Sequence, residues 1–284
     1  MGTSSSTETA FWQSIVESDY AVPDDRPLDA MTQTLLGWLG STDPTLRDRY
    51  AYPILEHWLH AEQYSPDDVR YLIGELAANI PRGLGERDAN GVFLRTFSVL
   101  MLAEIVHYDN AHQILDEAEI RQMLELGLVY LDAERDLRGW VPGEGWAHSV
   151  AHTADLLFVL AQSRHLGATE LSRVLDALAQ KLAAGGSFYV CGEDDRVARV
   201  VVAVIERDLL TVQALRDWLA RVVEAATVTD WLDAGQIERR LDVSQNSKQV
   251  LRSLFALLAL KQGQAPLAAE LLQPVLFAAQ ALAS

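Results

Sequence analysis

The sequence predicts an all-α protein of irregular stacked helical hairpins, a HEAT-like α-solenoid, and three observations predict it. Apolar residues recur three and four apart, as in Leu171, Val174, Leu175, Leu178 and Leu182, the period of a helix that buries one face. Cap residues and prolines punctuate those runs. Helix starts near residues 27 and 65, and again near 169 and 211, stand roughly 40 residues apart within each pair, the period of HEAT-like helix pairs, although the register breaks in between. An orthogonal helical bundle and a closed α/α barrel are the alternative architectures.

The elements follow in order. Residues 1–25 read as an acidic N-terminal extension with a short helix, and residues 26–284 as one helical, repeat-like domain. Asp43-Pro44 opens a helical segment that Pro53 should kink or split, because proline lacks the N–H an inner turn needs. Ser65-Pro66-Asp67-Asp68 supplies a cap, a first-turn proline and first-turn acids before Val69, Leu72, Ile73 and Leu76. Asp116 precedes Ile120, Met123, Leu124 and Leu131; Thr211 starts Val212, Leu215, Leu219 and Val222. Ser187 to Cys191 is rich in strand formers, but Glu193-Asp194-Asp195 is an acidic helix start, so a helix is expected over about 193–208. Ser244 is read as heading one late helix and Pro266 as beginning the last.

Composition narrows the function. The 284 residues carry a formal net charge of −17, which argues against nucleic acid and anionic membranes as partners. The charge is uneven, since residues 1–43 hold seven acids and one base and residues 244–284 hold three bases and one acid. With one cysteine, Cys191, the chain can form no internal disulfide and no multi-cysteine metal cage. The start Met1-Gly2-Thr3 lacks the features of a secretion signal, so a cytoplasmic, bacterial protein, monomeric or weakly self-associating, is expected.

One stretch departs from scaffold. Leu137-Arg138-Gly139-Trp140-Val141-Pro142-Gly143-Glu144-Gly145-Trp146-Ala147 is read as a loop with large rings to bury, a composition that often serves function. On the helix expected to follow, His148, His152 and Asp155 share a face. The i, i+4 histidines have the spacing that presents two imidazoles to one metal. His148 and Asp155 are about 10 Å apart along the axis, so a metal would need a ligand from Glu144, Cys191, Glu104 or His107. A buried structural tie is the commoner use of such residues. Weaker candidates are Cys191 as a nucleophile with His152, Glu193-Asp194-Asp195 as a cation holder, and His57 and His60 lining a groove. Arg95 and Arg199 are expected to pair with Asp155 or Glu104.

Asp136-Leu137-Arg138-Gly139-Trp140 with Gly145-Trp146-Ala147-His148-Ser149-Val150-Ala151-His152-Thr153-Ala154-Asp155 resembles a bacterial family of uncharacterised proteins, the domain of unknown function 2785. Arg95-Thr96-Phe97-Ser98 and Gly192-Glu193-Asp194-Asp195 look like weaker blocks of it, and the likeness spans about residues 30–225. The resemblance implies an all-helical, HEAT-like, soluble bacterial protein and supplies no catalytic residues.

The sequence therefore favours a binding protein over an enzyme. Arg138, Trp140, Trp146, His148, His152 and Asp155 are the candidate ligand-binding residues for a protein or small molecule. No cofactor is predicted. The alternative is a metal-assisted hydrolase using His148, His152 and Asp155 with Glu144 as base.

Overall fold

The computed structural model describes residues 3–227, 234–261 and 266–282. Its described residues form twelve α-helices, one π-helical segment and one two-stranded hairpin, which makes the protein all-α. The helices are α1 (Thr3–Glu17), α2 (Leu28–Trp38), α3 (Tyr52–His60), α4 (Pro66–Asn79), α5 (Gly91–His112) and α6 (Glu117–Ala133). After the hairpin come α7 (Ser149–Ala161), α8 (Ala168–Ala184), α9 (Glu193–Glu206), α10 (Val212–Ala226), α11 (Ala234–Leu260) and α12 (Pro266–Ala281).

Two rows account for the packing. Helices α3, α5, α7, α9 and α11 lie side by side in one row, and α6, α8, α10 and α12 in the other. Within each row a helix therefore touches the one two places along the chain. One apolar core runs between the rows from Trp12 and Ile15 of α1 to Val275 of α12. The expected starts at Ser65 and Asp116 are full capping boxes, closed by Asp68 and Glu119, and Thr211 caps α10 by accepting the Ala214 N–H. Pro53 splits its segment as expected. Thr45–Ala51 winds as a π-helix, with Tyr52 N–H donating to the Arg47 carbonyl, and α3 restarts with Pro53 in its first turn.

Three expectations are corrected. Ser244 lies inside α11, which runs unbroken through it; the apolar Val243 buries there and continues the stripe N-terminal to Val250 and Leu254. Leu137–Ala147 is not all loop, because Trp140–Val141 pairs antiparallel with Gly145–Trp146. Pro142 and Gly143, the latter at φ +81°, close the turn with Glu144 N–H on the Val141 carbonyl. The rings are not both buried either, since Trp140 is 53% exposed.

Helix α5 is long and apolar enough to cross a membrane, yet 78% of its apolar window is buried in the fold. A helix apolar all round is what a position between α3, α4 and α7 demands.

Candidate functional site

Helix α6 ends at Glu134, whose carboxylate receives Arg95 from α5, with Nε 2.6 Å from Oε2 and Nη2 3.1 Å from Oε1. Arg95 therefore pairs with neither Asp155 nor Glu104. Its guanidinium lies beside the α6 terminus, and the same Glu134 oxygen accepts the N–H groups of Arg135 and Asp136. Asp136 in turn binds Arg138 at 2.6 Å, and Arg138 reaches the Ala89 carbonyl at 3.2 Å. Ser149 Oγ donates to the Asp136 carbonyl at 2.6 Å. The linker entering the hairpin is thus held by hydrogen bonds at Glu134, Arg135, Asp136 and Arg138.

The hairpin is fastened from the opposite side by Arg47, a fully buried residue of the π-helix. Its guanidinium lies 4.1 Å from the Phe93 ring centroid, binds Asp48 at 2.7 Å, and donates to the carbonyls of Glu144 and Ser41. Burial pushes the Asp48 carboxyl upward despite that partner. Gly145 passes so close that a Cβ there would stand 2.7 Å from Arg47 Nη2. Val92, Phe93 and Ala147 form a small separate core beneath the hairpin.

His148 is the N-cap of α7, at φ 55° and ψ 34°, and not a residue of the helix itself. Its Nε2 lies 3.0 Å from the Cys191 carbonyl and 3.6 Å from Glu193 Oε1, so it ties the hairpin to the start of α9. Burial, with His152 alongside, pushes its pKa down to about 4. Cys191 meets His148 through its carbonyl, while its Sγ faces Gly139; the pairing of its thiol with His152 expected for a nucleophile is not formed.

His152 differs. Its side chain is nine-tenths buried, and neither ring nitrogen has a hydrogen-bond partner among the described residues. Asp155 Oδ2 stands 3.6 Å from its Nδ1, too far for a hydrogen bond, because Arg196 of α9 holds that carboxylate. A positive charge on His152 would favour the Asp48 carboxylate of the π-helix. A file of rings leads inward from the surface. Exposed Trp140 meets Trp146 edge-on with centroids 4.9 Å apart, Trp146 stacks on His148 at 4.5 Å, and His148 meets His152 at 5.5 Å. Phe97 closes the file at 5.4 Å.

The structure therefore brings together Trp140, Trp146, His148 and His152, with Asp155 at the edge. Arg138 belongs to the linker, and Glu144 meets Arg47 through its backbone. Arg199 lies over Phe158, 4.7 Å from the ring centroid, and not on an acid; Arg196, one turn earlier, is nearer to Asp155. Glu193 accepts the Cys191 N–H and turns inward. His57 stacks on Tyr20, with centroids 3.7 Å apart. Phe97 against the His152 ring, and Arg47 over Phe97, carry no signal in the sequence, since only folding sets the π-helix against the hairpin and α5.

A family model described as a protein of unknown function, DUF2785, matches residues 80–256, more than half of the chain. The matched region includes the whole hairpin–α7 block. It begins later than the expected residue 30 and extends past 225 into α11. No curated protein and no solved structure matches the chain.

Proposed function

The chain belongs to the DUF2785 family, and we propose that it is a helical binding protein whose small-molecule site centres on His152. One observation carries the reading, namely a deeply buried imidazole with both nitrogens unpartnered. A neutral imidazole offers one donor and one acceptor. Leaving such groups unsatisfied costs about 1–3 kcal/mol each, a cost that a bound polar molecule removes. Asp48 and Asp155, each beside its own arginine, leave the surroundings charge-balanced, which suits a neutral or zwitterionic ligand. Phe97 and His148 supply flat apolar walls for it, and the exposed Trp140 marks the outer end of the ring file.

The hydrolase alternative draws less support. His148 is engaged by a backbone carbonyl and Asp155 by Arg196, so two of its three residues already have partners.

The test is a fragment screen of small amides, alcohols and amino acids against the labelled protein, read on the imidazole nitrogens by NMR. A fragment should shift the His152 ring signals saturably and fail to bind His152→Phe, which keeps the ring packing on Phe97. Binding that persists unchanged in His152→Phe overturns the reading.

A further inference from the structure

We propose that Glu56 and His60 of α3 with Glu104 and His107 of α5 form a site for one divalent transition-metal ion. Glu56 and His60 are four residues apart and Glu104 and His107 three apart, so each helix turns one carboxylate and one imidazole to the same side. One ligand atom from each of Glu56, His60 and Glu104 lies within 4.8 Å of the others. His60 Nε2 and Glu104 Oε2 are 3.1 Å apart, near the spacing of about 3.4 Å between ligands of a tetrahedral ion with bonds of about 2.0–2.1 Å. The His107 ring lies beside this group, 5.6 Å from the His60 ring between centroids.

Outer contacts orient the set. Tyr52 donates its hydroxyl to Glu104 Oε1 at 2.8 Å, which leaves Oε2 for an ion, and such supporting bonds accompany metal ligands. His57 Nδ1 lies 2.7 Å from Glu56 Oε2, although its hydrogen bond is to the Pro53 carbonyl at 2.8 Å. His60 and His107 are exposed and the two glutamates half-buried, so an ion can enter from solvent. Two imidazoles with two carboxylates suit zinc and its neighbours in the first transition row, while magnesium prefers oxygen and keeps its water. No residue of this group belongs to the site proposed at His152.

The experiment uses the full chain, stripped with a chelator and titrated calorimetrically with zinc sulfate. Cobalt(II) absorption reports the geometry. One zinc per chain should bind with micromolar affinity, and cobalt should give a tetrahedral spectrum. His60→Ala and Glu104→Gln should each weaken zinc about tenfold or more, whereas His152→Phe should leave it unchanged. His107→Ala, at an exposed position, carries the test should Glu104→Gln disturb the Tyr52 contact. Millimolar binding of several ions, equal competition by magnesium, or wild-type affinity in His60→Ala combined with His107→Ala each overturns the proposal.

Discussion

Arg95 and Glu134 face each other across 2.6 Å with side chains 0% and 2% exposed, and that pair sets where the hairpin begins. Glu134 also caps the N–H groups of the linker, and its carbonyl accepts Lys181 at 2.8 Å. Removing one partner of a buried pair leaves an uncompensated charge, at a cost of about 3–5 kcal/mol. Arg95→Met should lower stability by about that amount in urea unfolding, and Arg95→Met with Glu134→Gln should recover part of it. Equal stability of the single and double variants would show that the pair is not coupled.

Gly139 and Cys191 make the tightest backbone approach at the hairpin. A Cβ at residue 139 would stand 2.6 Å from Cys191 Sγ and 2.9 Å from its Cβ. Gly139→Ala should cost about 1–3 kcal/mol, as overpacked sites do. Adding Cys191→Ala removes the sulfur clash alone, so thermal unfolding should show partial recovery.

Histidine 148 makes stability depend on acid. With its folded pKa near 4 against about 6.5 when unfolded, the unfolded chain binds more protons between those values. The stability this residue contributes is thus fully present above about pH 6.5 and is lost as pH falls towards 4. His148→Gln should flatten the pH dependence of the unfolding midpoint in that window. An unchanged slope would assign the acid sensitivity to other groups.

Asp155 and Arg196 link α7 to α9, with side chains 21% and 35% exposed. Solvent screens a pair so placed, and exposed pairs contribute about 1 kcal/mol or less. Asp155→Ala should therefore cost less than Arg95→Met, and the loss should shrink in high salt. A salt-independent loss of several kcal/mol would instead mean that His152 depends on Asp155 directly.

The all-helical class, the caps at Ser65, Asp116 and Thr211, the split at Pro53 and the helix from Glu193 were legible because each depends on neighbours within a few residues. The Trp140–Asp155 block stood out for the same reason, as a local excess of glycine, tryptophan and histidine. Its internal order was not legible. His148 takes a left-handed conformation at the cap because the hairpin ladder continues through its N–H to the Arg138 carbonyl. Only the packing of α5 against the end of α6 gave Arg95 to Glu134, and only that of α7 against α9 gave Asp155 to Arg196. Only folding brought the π-helix, from nearly a hundred residues away, against the hairpin and α5, where Arg47 reaches Glu144, Phe93 and Phe97. Spacing along the chain determined which residues share a helix face; long-range packing decided which of their polar groups found partners and left both nitrogens of His152 without one among the described residues.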